Sequence, residues 1–271
     1  MNKYDISILV LVYGKEIEES KTFLSLNKYA EEFKLYNINL VLWNNGPISI
    51  DNDFNSKLDC KLIQTLDNMS LSYIYNKFIN SAESKVYVIL DDDTELNLNY
   101  INNIKKSISY NIYFPEINVN GEKIYPKKEK RNVVFSRKKD VLFTISSGMI
   151  IGFEIINKIR NNYGNVFDED FYLYGVDTSF CLRLSDLNLN QSIHIIDGLE
   201  HDLSRLTDNN MSEFKRIERG NDLGVRIRKY YNTIDKLYFL LYFTYVFIRR
   251  EKKEFDLFSL YKSLLSGKHY R

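Results

Sequence analysis

The apolar positions of this chain fall in short β-branched runs separated by amphipathic stretches. Ile6 to Val12 reads I-S-I-L-V-L-V, which suits a strand buried on both faces of a parallel sheet. From Glu16 to Lys34 the apolar residues Phe23, Leu24, Leu26 and Phe33 follow helical spacing. Asn39 to Trp43 predicts a second strand, stopped by Asn44-Asn45-Gly46-Pro47, and Cys60 to Thr65 a third. Ser70 to Ala82 predicts a helix with Ser70 as its N-cap, and Val86 to Leu90 a further strand. This alternation predicts a doubly wound α/β sheet, in which ligands sit at the carboxyl ends of the strands. Tyr13, Asn44 and Asp91 all fall at such ends.

The second half is less regular. Pro115 to Pro126 predicts a hairpin around Asn120-Gly121. Lys127 to Asp140, with seven Lys/Arg and two acids, reads as a mobile loop, and Leu142 to Ile151 as one more strand. Asp177 to Leu187 predicts a helix with Phe180, Cys181, Leu184 and Leu187 on one face, and Ile193 to Ile196 a short strand. Only helices are predicted beyond: Asn209 to Lys229, Thr233 to about Arg250, and a short amphipathic segment to Leu265. The expected organisation is an α/β domain over residues 1–205 with a nucleotide-sugar half to about residue 95 and an acceptor half after it. Residues 206–271 form a helical, basic tail.

Composition adds three constraints. With 44% apolar residues, 271 residues can bury a sizeable core. Residues 226–271 hold eleven Lys/Arg against four Asp/Glu, so an acidic globule carries a basic tail although the net charge is only +1. Cys60 and Cys181 are the two cysteines, without metal-type spacing, and no signal peptide is visible. A cytoplasmic protein is expected.

The candidate chemistry begins where the strand Val86–Leu90 ends in Asp91, Asp92 and Asp93. Adjacent like charges gain nothing from a core. A D-x-D at a strand end is a hard-oxygen site suited to Mg²⁺ or Mn²⁺ bridging to a diphosphate. The bland reading is one helix cap and two solvated acids. A Walker B strand also ends in acids, but no G-x-x-x-x-G-K-[ST] occurs. A phosphoacceptor Asp fits neither the length nor the position. Asp177, at the start of a predicted helix with an apolar face, is a candidate base or simply a cap. His201 has acidic neighbours on both sides at a strand end, yet a lone His is ordinarily structural.

These residues stand in an order that resembles the family 2 glycosyltransferases of the GT-A fold, and most closely the bacterial rhamnosyl- and galactofuranosyltransferases. The resemblance is carried by Ile6–Tyr13, Leu42–Gly46, Asn68 with Asn76, Leu90–Thr94, Phe167–Arg183 and Glu200-His201. It implies a mixed sheet flanked by helices, with a C-terminal helical appendage. By resemblance Asp93 binds Mn²⁺ or Mg²⁺ on the donor diphosphate and His201 completes that site. Asp91 lies near the donor ribose, Asp92 helps position the sugar, and Asp177 is the base. Tyr13 and Asn44 line the nucleoside pocket, with Asn76 supporting it. The sequence departs from the family at Gly14, where Asn is usual, at Asn44, where Asp is usual, and at Val176, where an acid is common.

The implied reaction is an inverting sugar transfer from a dTDP- or UDP-sugar to a glycan or a polyprenyl-diphosphate-linked acceptor in cell-surface polysaccharide synthesis. Rhamnose and galactofuranose are the nearest donor sugars. A non-catalytic nucleotide-sugar binder is the first rival. A nucleic-acid-binding tail is the second, opposed by the apolar run Leu237–Ile248, which is poorly suited to a solvated binding face. That run is too short to span a bilayer. Flanked by Lys236, Arg249 and Arg250, it predicts a peripheral site on the inner membrane face or a homodimer contact.

Overall fold

The computed structural model describes residues 3–119, 122–129, 140–200, 212–249 and 254–270. Four parallel strands form its first half: β1 (Lys3–Val12), β2 (Ile38–Asn44), β3 (Cys60–Gln64) and β4 (Glu83–Asp91). The second half adds β5 (Ile112–Val119), β6 (Glu122–Tyr125), β7 (Lys127–Glu129), β8 (Val141–Phe143), β9 (Met149–Gly152) and β10 (Ile193–Glu200). The main sheet runs β3-β2-β1-β4-β9-β5-β10, with β6 on β5. β9 is antiparallel to both its neighbours, so the sheet is mixed, as expected.

Helices α1 (Lys21–Lys28), α2 (Leu71–Ser81), α3 (Leu98–Lys106), α4 (Phe153–Tyr163) and α5 (Val176–Asp186) accompany the sheet. Strand alternation sends Leu9, Leu11, Trp43 and Ile89 into one core with α2, α4 and α5, and Val10, Val12, Leu42 and Leu90 into the other with α1 and α3. Ser70 caps α2 as predicted, its hydroxyl accepting from the Tyr73 N–H.

Three sequence expectations are corrected. The stretch 16–34 is not one helix. Two short 3₁₀ turns flank α1, because Ser20 caps a new start at Lys21, accepting from the Phe23 N–H. The run Leu142–Ile151 is not one strand: it splits into β8 and β9 where Ser146, Ser147 and Gly148 turn the chain, closed by the Met149 N–H on the Ser146 carbonyl. And the basic stretch does not begin as a loop, since Lys127–Glu129 pairs with β8; residues 130–139 lie outside the described part. The predicted hairpin is formed by β5 and β6, although Asn120 and Gly121 also lie outside it.

The C-terminal helices are α6 (Glu213–Tyr230), α7 (Thr233–Ile248) and α8 (Leu257–Ser266). Gly220 and Gly224 let α8 lie directly on α6. A Cβ at either would stand 2.3 Å from a backbone oxygen, of Asp256 or of Leu260. α6 joins the first core through Val225 and Tyr230. It is also tied there by a buried polar cluster. The Asp168 carboxylate accepts from Tyr230 Oη at 2.8 Å and Lys229 Nζ at 2.9 Å and lies 3.3 Å from Arg183 Nη2, while Arg183 Nε donates to Tyr230 Oη.

Burial pushes the Asp168 carboxyl up, but Arg183, Lys229 and Tyr230 outweigh it and hold the carboxyl below its ordinary value. A lowered folded value stabilises the protein above the unfolded carboxyl value of about 3.9, and this contribution is lost as pH falls through the folded value. Asp168→Asn is therefore expected to cost on the order of 2 kcal/mol at neutral pH, as hydrogen bonds to charged groups do. The gap to wild type in thermal unfolding should begin to narrow below about pH 4 and close as pH falls through the folded value.

Candidate active site

The register of the parallel strands assembles the site. Leu11 pairs with Asp91 and with Trp43, and Val12 with Asn44, so β1, β2 and β4 end level with one another. Their carboxyl ends open into a cleft of about 860 Å³. Tyr13, Asp91, Asp92 and Asp93 line it, together with Lys15, Asn45, Asn68, Leu71, Leu173 and Phe214. The size is that of a small-molecule site.

The three carboxylates are held by different means. Asp92 accepts from the Tyr13 N–H at 3.0 Å and pairs with Lys15 Nζ at 2.7 Å, fastening the end of β1 to the turn after β4. The backbone of the acidic turn is fixed from below. Thr22 Oγ1 shares its one proton between the Asp91 carbonyl at 2.5 Å and the Thr94 carbonyl at 2.8 Å, and Ser20 Oγ donates to the Asp92 carbonyl at 3.0 Å. The Asp91 N–H donates to Ser147 Oγ at 3.0 Å. Each of the three acids is only partly buried. Among the described residues no group of three or more His, Cys, Asp or Glu side chains forms a ready metal cage. Mg²⁺ sites commonly use one or two carboxylates and let substrate phosphates complete the shell, and this oxygen-rich cleft fits that kind of binding.

Asp177 is the second residue of α5, partly buried, and its carboxylate accepts the Ser146 hydroxyl. Ser146 and Ser147 thus connect Asp177 to the backbone of Asp91 through two adjacent residues. Gly175, at φ +83°, begins the helix in a conformation that side chains disfavour, and a Cβ there would meet Asp222 at 2.2 Å and Phe171 at 2.4 Å. Cys181, one turn beyond Asp177, is a core residue whose thiol burial pushes up to about 12, so it is no nucleophile.

One expected site residue stands elsewhere than the sequence placed it. Asn44, 1% exposed, does not line the cleft. Its Nδ2 donates to the Ile48 carbonyl and to Gln64 Oε1, and its Oδ1 accepts the Gly46 N–H. The reason is the two-residue period of a strand. Asn44 shares the face of Val12, whereas the cleft opens on the face of Leu11, Tyr13 and Asn45. Asn76, 4% exposed, holds the loop before α5 by exchanging hydrogen bonds with the Phe167 backbone and donating to Glu169, so its role is support. His201 lies outside the described residues. Sequence reasoning missed Lys15, Asn45, Ser146 and Ser147.

No protein-family model and no curated protein matches this sequence. Among solved structures it is similar to S. aureus TarS, residues 1–349, at 15% identity and a TM-score of 0.50, covering 98% of this chain and 93% of that one. The TarS structure in complex with UDP-GlcNAc is similar at 14% identity and a TM-score of 0.54, over 97% of this chain and 80% of that one. A TarS complex with UDP gives 15% identity and a TM-score of 0.50 over 98% and 93%. The likeness is one of fold, and the fold is the GT-A fold expected from the sequence.

Proposed function

We propose that this chain is an inverting glycosyltransferase that moves a sugar from a nucleoside-diphosphate-sugar to a glycan or lipid-linked acceptor. One observation carries the reading. Three consecutive carboxylates and Tyr13 face one cleft at the carboxyl ends of level parallel strands, and Asp177 is linked to the same turn through Ser146 and Ser147. The likeness to TarS, solved with UDP-GlcNAc and with UDP, supports a nucleotide-sugar donor and favours UDP over dTDP. Rhamnose and galactofuranose remain the donor sugars proposed from the sequence.

In this reading Asp177 takes the proton of the acceptor hydroxyl as that oxygen attacks the anomeric carbon. The nucleoside diphosphate leaves from the opposite face, and a single displacement inverts the configuration. Tyr13, half exposed on the cleft wall, borders the nucleoside, and Asn45, 2% exposed and bonded to Thr65, Asn68 and Met69, braces that wall. Lys15 keeps Asp92 drawn against the end of β1. Asp93, with His201, would hold Mn²⁺ or Mg²⁺, which when bound supplies charge neutralisation to the departing diphosphate. A thermal-shift panel of UDP- and dTDP-sugars with Mn²⁺ tests the donor. A ligand at a hundred times its dissociation constant adds about 2.7 kcal/mol, and a panel that shifts nothing would oppose the reading.

The placement of α7 supports a peripheral membrane site. No helix among the described residues is long and apolar enough to cross a membrane. Yet Ile234, Leu237, Tyr238, Leu241, Tyr245 and Ile248 are all exposed at helical spacing along α7, with Lys236 and Arg249 at its ends. A charge-free stripe between cations suits anionic headgroups better than a like-charged second copy. Phosphatidylglycerol vesicles are expected to float the protein at low salt, and Leu237→Glu with Leu241→Glu to abolish flotation. If the wild type ignores such vesicles and the double variant instead splits a dimer, the stripe is an interface between copies.

A further inference from the structure

The carboxylate cleft leaves a second cavity unexplained, of about 800 Å³, among the start of α5, α6, α7 and residues 254–255. The two have no lining residue in common, but two segments of chain border both. Leu173 lines the cleft, and its neighbour Tyr174 lines the cavity. On α6, Phe214 lines the cleft, and Arg219 and Asp222 line the cavity. Gly175 and Thr178, on either side of Asp177, border the cavity, while the Asp177 carboxylate itself is turned to Ser146.

The chemistry of its lining is specific. Arg219 Nη1 stands 3.8 Å from Glu254 Oε2, and Arg226 Nη2 stands 4.0 Å from Asp222 Oδ2. Two guanidinium groups and two carboxylates balance in charge, so a phosphate would meet repulsion along with attraction. Each of these groups is planar and offers fork-like donors or paired acceptors, which suit vicinal hydroxyls. The rest of the lining includes Tyr242 and Phe243 of α7 with Phe255, and the Arg219 guanidinium lies over the Tyr174 ring at 5.9 Å. Aromatic faces bury apolar C–H surface, while planar polar groups fix orientation.

A ligand matching all three features is uncharged, rich in hydroxyls and apolar on its ring faces. We infer that this cavity, which borders the segment that carries Asp177, is the binding site for the saccharide portion of the acceptor. The inference rests on the glycosyltransferase reading and adds to it the place and chemical class of the acceptor. It also gives the C-terminal helices a part in substrate recognition, since α6, α7 and Phe255 form most of the wall.

Saturation-transfer NMR on the full chain tests it, with methyl β-lactoside, methyl β-cellobioside and methyl α-rhamnoside as probes. At least one probe is expected to receive saturation. Arg219→Gln and Glu254→Gln should each weaken its binding about tenfold, as loss of a hydrogen bond to a charged group does. Val246→Trp, which fills the cavity from α7, should abolish it. In all three variants UDP with Mn²⁺ should stabilise the protein as in wild type, which shows that the fold and the cleft are intact. The inference is overturned if no probe receives saturation, if the signal survives Val246→Trp, or if pyrophosphate displaces the probes, which would make the cavity an anion site. Saccharide binding that responds to these variants in a protein indifferent to every UDP- and dTDP-sugar would overturn the transferase reading and leave a saccharide site.

Discussion

Asp177→Asn is expected to lower turnover by about 10²–10⁴, the usual contribution of a positioned general base, with donor binding unchanged. The substitution is nearly isosteric. Oδ1 still accepts the Ser146 hydroxyl, so the link from α5 to the turn after β8 is retained. What is lost is the ability to take a proton. The position, second in α5, sets the carboxylate at a helix N-terminus with the Ser146 hydroxyl as its donor. Steady-state turnover at saturating donor and acceptor, beside donor affinity by calorimetry, separates the two effects. Near-normal turnover in this variant would remove Asp177 from the reaction.

The second large effect is expected at Asp93. Asp93→Ala should reduce turnover by at least about 10²–10³, the cost of removing one stabiliser of transition-state charge. It should also abolish the Mn²⁺-dependent stabilisation by UDP. The backbone of the acidic turn has its own supports in Thr22, Ser20 and Ser147, none of which needs the Asp93 carboxylate, so the fold should survive. Thermal unfolding with UDP, with and without Mn²⁺, is the check. A variant stabilised as much as wild type would place the cation elsewhere.

The first half of the fold was readable because its signals are local. Ile6–Val12, Asn39–Trp43 and Val86–Leu90 are continuous apolar runs, and each became the heart of a parallel strand. The strand-end position of Asp91 to Asp93 could be read for the same reason. Asn44 was misplaced although the information was present. It sits one residue after Trp43, and a period of two sends it to the face opposite the cleft. Ser146-Ser147-Gly148 was hidden inside an apolar run, though three small residues there are a turn signal. α3 and α4 also went unread, because their apolar faces are narrow: Tyr100, Ile101 and Ile104 in one, Ile155, Ile156 and Ile159 in the other. Lys15 was beyond reach of pattern. Its meaning comes from Asp92, 77 positions away and joined to it only by the β1–β4 pairing.

The central claim is sugar transfer with inversion from a nucleoside-diphosphate-sugar. Its most direct measurement is proton NMR of the wild-type reaction, following the anomeric signal of the donor sugar as it becomes product, with free nucleoside diphosphate assayed in parallel. The account predicts one equivalent of nucleoside diphosphate per new glycosidic bond, with the anomeric configuration opposite to that of the donor. A product that retains the donor's configuration, or a donor bound but never cleaved with any acceptor, would contradict it.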